Sequence, residues 1–302
     1  MKKKADMYVC SKPLQYFNIR NLPLDNTRTN ILIIEDKFKD AKKFYESVIQ
    51  YDKSWNEVLF VTDRAKILFL CLFKYKVTNF YYYLDFMLMA ATFLYFLPCK
   101  NIYVYEEGIS AYRTSIFNNT AKYKRKIRKF LGMSEYAGQH PRVKGIYVYN
   151  IEKYLQTFSF IKNKSRLKPL AFKTSFQKML ENNLDLALKI FRFDPDKTFS
   201  EVRDKKVLFY ITTWPIDAGA LNKIHANDYD YYIIKPHPHI RELSLPESWK
   251  NDKTIVIDSV ILAEFLIEIL IERNNKVDIY HHNSSAVMYV NQHPNINSVI
   301  SI

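Results

Sequence analysis

Tyr105-Glu106-Glu107-Gly108 sets two adjacent carboxylates before a glycine. Paired carboxylates raise one another's pKa, which suits one of them to act as a base near neutral pH. Gly108 permits the tight turn that aims them. Solvated acids in a strand-ending turn would have the same sequence. Lys235-Pro236-His237-Pro238-His239 brackets His237 with two prolines, which fix the backbone around the imidazole. Such a histidine can donate to a phosphate, and Lys235 beside it makes a small anion site; the plainer alternative is a rigid surface loop. No Asp or Glu follows at metal-ligand spacing, so no metal is expected. In His281-His282-Asn283-Ser284-Ser285-Ala286, Asn283 or Ser284 is placed to cap a helix, and hydroxyls at a helix start suit a phosphate. The two histidines there are taken as structural. Thr212-Thr213-Trp214-Pro215-Ile216-Asp217 adds an acid in a proline-containing loop, and Cys10-Ser11-Lys12-Pro13-Leu14-Gln15 adds polar side chains near the start of the chain.

These five segments gain weight from what precedes each of them. Met7–Cys10, Asn30–Ile34, Glu57–Val61, Asn101–Tyr105 and Lys144–Tyr149 are strand-like runs rich in Val, Ile and Tyr. Helical spacing fills Lys37–Tyr51, Arg64–Lys74 and Leu84–Phe96 between them. After Thr174–Phe191, also helical, and the polar stretch Arg192–Lys197, a second alternation begins. Its strands are Lys206–Thr212, Tyr229–Ile234, Thr254–Ile257 and Lys276–Tyr280, and its helix is Val260–Arg273, with Asp258 or Ser259 as the expected cap. Such alternation predicts an α/β fold with parallel sheets covered by helices. Two units of similar size predict two Rossmann-like domains facing a cleft, residues 1–165 and 166–302. Arg192–Lys197 is the expected connection. Ligands of open parallel sheets bind beyond the carboxyl ends of the strands, and all five segments fall there.

Composition narrows the class. Only 5 glycines occur in 302 residues, and none are spaced as GxGxxG or GxxxxGK[ST], which argues against dinucleotide oxidoreductases and P-loop enzymes. Three scattered cysteines give no disulfide framework or zinc site and fit a reducing cytoplasm. Met1–Asp6 lacks the apolar stretch of a signal peptide. Ala65–Cys99 is the most hydrophobic region, but Lys66, Lys74, Lys76, Asn79 and Asp85 interrupt it, so two buried helices and a strand are expected rather than a membrane span. The net charge of +14 predicts an anionic partner, although a codon bias toward Lys would give the same balance. The basic run Lys122–Leu131 fits a helix on the inner face of the plasma membrane or a solvated basic face. Nothing in the chain suggests a nucleic-acid-binding fold.

An acid-acid-Gly motif, a later His-Pro motif and a Ser-Ser motif, in this order, resemble the bacterial sialyltransferases. Glu106-Glu107-Gly108, His237-Pro238 and Ser284-Ser285 are most similar to those of glycosyltransferase family 52, the lipooligosaccharide and capsule sialyltransferases. Val9–Gln15 is similar to that family's first strand and loop, and the likeness runs from about residue 7 to 290. Glu-Glu stands where Asp-Asp is frequent. The resemblance implies a GT-B architecture, with the acceptor on the first domain and the CMP donor on the second. It implies inverting transfer from CMP-sialic acid to a galactose-terminated glycan, without metal or other cofactor. His237 would act as general acid, or as a cationic donor to the leaving phosphate, and Ser284 and Ser285 would hold that phosphate. Asp217 matches the base of the closest relatives and Glu107 that of more distant ones. Glu106, Gly108, Lys235, Pro238, Gln15 and Ser11 complete the expected substrate contacts, and the family allows a homodimer. Two alternatives stand beside this: a relative using another nucleotide sugar, and a non-catalytic basic protein that binds anionic membranes.

Overall fold

The computed structural model of the protein describes residues 2–114, 121–123, 126, 128, 136–212, 228–237, 245, 247–282, 284–288 and 293–301. The chain divides into two compact units, Met1–Met179 and Leu180–Ile302. The division falls inside the helix Phe176–Phe191, later than the expected 165/166, because a short strand after residue 166 still adds to the first sheet. Arg192–Lys197 lies within the second unit, where Asp194 caps the short helix Pro195–Thr198.

The first unit is built on seven parallel strands. They are β1 (Lys3–Cys10), β2 (Thr29–Glu35), β3 (Glu57–Val61), β4 (Tyr75–Tyr82), β5 (Cys99–Tyr105), β6 (Val143–Val148) and β7 (Pro169–Ala171). Their order is β3-β2-β1-β4-β5-β6-β7. The chain starts at the middle of the sheet, builds outward to β3, then returns to β1 and builds the other way. This reversal makes a topological switch point between β1 and β4, the place where doubly wound sheets take ligands. The second unit repeats the plan with β8 (Lys206–Ile211), β9 (Tyr231–Lys235), β10 (Thr254–Val256), β11 (Lys276–His281) and β12 (Ile296–Ser301), in the order β10-β9-β8-β11-β12. Its switch point lies between β8 and β11. The expected class, two Rossmann-like α/β units, is the observed one.

Strands buried on both faces read as continuous apolar runs, and β2 is buried along its whole length. On one face of the first sheet four tyrosines run across neighbouring strands. Tyr8 stacks on Tyr81 at 4.5 Å and Tyr81 on Tyr103 at 5.3 Å, and Tyr103 meets Tyr147 at 6.0 Å. On the other face lie the helices Arg64–Phe69 and Leu88–Phe96. The first ends in a wider π-type turn, Leu70–Lys74. Ala65–Cys99 therefore holds the expected two helices and a strand, but the helices are buried on one side only. Phe69, Leu72, Phe73, Leu88, Met89 and Phe96 are exposed. In the second unit, residues 263–271 of the helix Ala263–Glu272 are all buried, and the helix belongs to the core that holds Val207, Phe209, Ile233 and Ile279.

A buried polar line fixes the register of four strands. Between Ala5 and Asp6 the pairing of β1 with β4 skips one residue. Asp6, 1% exposed, fills the irregularity. Its carboxylate accepts from the Asn79 backbone at 3.1 Å, from the Asn79 side chain at 2.9 Å, and from Arg28 beside β2 at 3.0 Å. Asn101 of β5 extends the line by donating to Asn79 at 2.9 Å. Removing one partner of a buried ion pair leaves the other charge uncompensated. Asp6→Ala is expected to destabilise the first unit by about 3 kcal/mol, and Asp6→Asn by less. Urea unfolding checks this, and an unchanged midpoint for Asp6→Ala would show that the line contributes nothing.

Candidate functional site

The carboxyl edge of the first sheet gathers the loops after β1, β4, β5 and β6. Gly108 has φ 99°, in the region that favours glycine, and the chain turns there into the 3-10 segment Ile109–Tyr112. That turn separates the two glutamates. Glu106 points inward and is 1% exposed. Its Oε2 accepts from the Tyr112 hydroxyl at 2.6 Å and from the Tyr149 backbone at 3.0 Å, while Oε1 is buried and has no hydrogen-bond partner among the described residues. Burial raises its pKa to about 7, against the lowering effect of these two bonds. The Glu106 carbonyl accepts from Asn18 at 2.8 Å, and Asn18 accepts from the Tyr149 hydroxyl at 2.8 Å. Glu106 therefore ties the loops after β5 and β6 to the helix Pro13–Arg20 and is closed to solvent.

Glu107 faces the other way, and its side chain is 16% exposed. It accepts from Gln15, lies 3.7 Å from the Lys12 ammonium, and is reached by Ser110 at 3.4 Å. Gln15 is itself fixed. Its side-chain oxygen accepts from the Ser11 backbone at 2.6 Å and from the Ser11 hydroxyl at 3.2 Å, which leaves its amide free to donate to Glu107. A carboxylate held by a buried amide is oriented before any substrate arrives. Ser11, Gln15 and Glu107 thus form one line from the switch point to an accessible acid, and Ser11 and Gln15 act on Glu107 more than they offer themselves to a ligand.

Beside this line is a cluster that the sequence did not reveal. Glu35, at the end of β2 and 2% exposed, accepts from Tyr83 at 2.5 Å, from Lys37 at 3.1 Å and from Arg64 at 3.3 Å. Three separate loops supply these groups. The only local hint was an acid ending an otherwise apolar strand.

In the second unit the carboxyl ends of the parallel strands β8, β9 and β11 share one edge. The His237 backbone donates to the Thr212 hydroxyl at 2.8 Å, and the Thr212 backbone donates to the Lys235 carbonyl at 3.1 Å. These bonds position His237, which is half-buried. Lys235 is 5% exposed, and its ammonium donates to the carbonyls of Pro236 and Ser259, each at 2.8 Å. It braces the His237 loop against Ser259 and does not stand open as the expected anion hook. Glu264 lies in its field; burial pushes this carboxyl up, and Lys235 opposes the shift. Asp258 accepts from the Val260 backbone at 3.1 Å in a turn, and the helix begins only at Ala263, after Leu262. Asp258 and Ser259 therefore do not cap it.

At the end of β11, Ser284 accepts from the Ala286 backbone at 3.3 Å and opens the 3-10 turn Ser285–Met288. His281 accepts from the Ser284 backbone at 3.2 Å, and His282 bonds the Tyr210 hydroxyl at 2.8 Å, so both histidines do serve the structure. Asp217 and Pro238 lie outside the described residues. So does much of the basic run 122–131, of which Arg128 is buried and donates to the Phe86 carbonyl.

No protein-family model and no curated protein matches this chain. Solved structures similar in fold include the UDP-GlcNAc 2-epimerase from Neisseria meningitidis bound to UDP-GlcNAc. It is 13% identical, with a TM-score of 0.51 over 93% of this chain and 77% of that one. The wall teichoic acid polymerase TagF, soaked with CDPG, is 14% identical, with a TM-score of 0.43 over 90% of this chain and 70% of that one. The fold is of the GT-B type. Identity this low speaks for the fold alone.

The buried Glu106 makes stability pH-dependent. Its folded-state pKa of about 7 lies above the ordinary 4.5. Its contribution to stability is therefore complete below pH 4.5 and is lost as the pH rises through about 7. Glu106→Gln removes this titration and keeps an acceptor for Tyr112. The stability of the natural protein relative to this variant is expected to fall by at most about 3 kcal/mol over that window. Denaturation at several pH values checks it; parallel profiles would assign the pH dependence elsewhere.

Proposed function

We propose that the protein is an inverting glycosyltransferase that uses a nucleotide sugar, with CMP-sialic acid as donor and a terminal galactoside of a capsular polysaccharide or lipooligosaccharide as acceptor. One observation carries this: an oriented, accessible carboxylate ends a strand of one Rossmann-like unit, and a backbone-anchored histidine ends a strand of the other. They stand in the sequence order of the sialyltransferase motifs. The GT-B type fold supports nucleotide-sugar chemistry in general, and the epimerase of similar fold is itself described with UDP-GlcNAc.

In the proposed reaction the acceptor hydroxyl attacks C2 of sialic acid as the bond from C2 to the CMP phosphate oxygen breaks, with inversion at C2. A carboxylate takes the acceptor proton. Glu107, held by Gln15, is one candidate; Asp217 is the other, on the resemblance alone. His237 gives a proton or a charged hydrogen bond to the leaving phosphate, which the Ser284 and Ser285 hydroxyls hold. Gly108 sets the turn that turns Glu107 outward. The scheme needs no metal and places the enzyme in the cytoplasm, where nucleotide sugars are available.

Incubation with CMP-sialic acid and lactose in EDTA is expected to release CMP and form sialyl-lactose. His237→Ala should lower kcat at least about 100-fold. Of Glu107→Gln and Asp217→Asn, the variant at the true base should lose activity on a similar scale. Release of UDP from UDP-GlcNAc, with CMP-sialic acid untouched across a panel of galactosides, would reassign the donor. Silence with both would end the transferase reading.

A further inference from the structure

The opposite edge of the first sheet, where its strands begin, has no part in the chemistry proposed above. It holds a cavity of about 1280 Å³ whose cationic lining is Lys2, Lys3, Lys4, Arg28, Lys76 and Lys100, with no acid among the lining residues. Arg28 is neutralised by Asp6 and Asp25. Lys4, Lys76 and Lys100 are exposed and have no ion pair among the described residues.

The same edge carries apolar surface. Cys71 touches Met7 at 3.7 Å between sulfurs, and Phe93 meets Phe80 at 6.0 Å; Met7 and Phe80 are register partners. The helices bearing Cys71 and Phe93 therefore lie side by side on one face of the sheet. Helices of such units run antiparallel to the strands, so their last turns come down at the lysine edge. Phe73 there is 65% exposed and Phe96 73%, and Leu72 both lines the cavity and is 47% exposed. Exposed apolar groups bordered by unpaired cations are what binds at the boundary of headgroups and acyl chains.

We propose that this edge of the first unit docks onto a membrane that contains anionic lipid, with Leu72, Phe73 and Phe96 entering the interface and Lys4, Lys76 and Lys100 engaging headgroup phosphates. Charge decides against a second copy of the chain, because a two-fold contact through this face would oppose its own lysines. None of the described residues of the basic run 122–131 lines this cavity, and the proposal does not depend on the donor.

The test is sedimentation of the full chain with vesicles of phosphatidylcholine alone or with about one third phosphatidylglycerol, in moderate salt. Binding is expected only with the anionic lipid. Lys4→Glu, Lys76→Glu and Lys100→Glu together should weaken it at least about tenfold. Phe73→Ser with Phe96→Ser should weaken it comparably while the lysines remain. Reversing three exposed lysines of the second unit, Lys205, Lys250 and Lys253, should change it less than threefold. Melting curves establish that each variant is folded. Equal loss from both lysine triplets would reduce the effect to net charge and overturn the proposal. So would undiminished binding of the phenylalanine variant, or a dimer of the natural protein that this variant abolishes. Preference for a single-stranded RNA competitor over the vesicles would overturn it as well. Turnover with soluble substrates is expected to be unchanged in all these variants, so failure here would leave the catalytic reading intact.

Discussion

The carboxyl edge of the first unit depends on one buried acid. Glu106 is closed to solvent, yet it receives the Tyr112 hydroxyl and the Tyr149 backbone, while its own carbonyl receives Asn18. Two loops that would otherwise be positioned only by the ends of their strands are thereby fixed to each other and to the helix Pro13–Arg20. Burying a carboxyl costs free energy unless it is hydrogen-bonded, and the upward shift of its pKa measures the part of that cost that remains. The adjacent Glu107 gains from this. With Glu106 anchored and Gly108 turning the chain, Glu107 can face outward only in a narrow range of directions, and Gln15 fixes the last of them.

The two units solve a common problem by different means. Each has its switch point beside its first strand, so each brings the carboxyl ends of its first and fourth strands together. The first unit locks this edge with side-chain carboxylates, Glu106 and Glu35. The second uses mostly backbone groups: the Thr212 hydroxyl receives the His237 backbone, and the Lys235 ammonium is bound to two carbonyls. A lysine buried in this way is costly, and its bonds to two carbonyls and the nearby Glu264 carboxyl offset part of that cost.

Much of this was legible in the sequence. The β-strands that flank each motif are runs of Val, Ile and Tyr bounded by turn residues, and the nine located individually are all present. β7 and β12 escaped because three residues of Pro-Leu-Ala and the polar Ile296–Ser301 have no clear alternation. Strand order was not legible, since it depends on which crossovers return to the centre. The motifs lay at strand ends as expected, but the direction of each side chain did not follow from spacing. Glu106 and Glu107 are neighbours with opposite environments, and Lys235 is spent on carbonyls that are distant in the chain or invisible as sequence signals. The Glu35–Arg64–Tyr83 cluster joins three loops and has no local signature.

Every strand pairing in the first unit is parallel, so each strand must wait for a crossover before it finds its neighbour. The central strand β1 nevertheless leaves the ribosome first, and each later strand adds to a sheet edge that already exists. All seven strands of this unit are synthesised by residue 171. The order of synthesis therefore follows the layout of the sheet, outward to β3 and then from β4 to β7. The long apolar strands of β1 and β2 are covered soon after they emerge, before the core of the second unit has been translated.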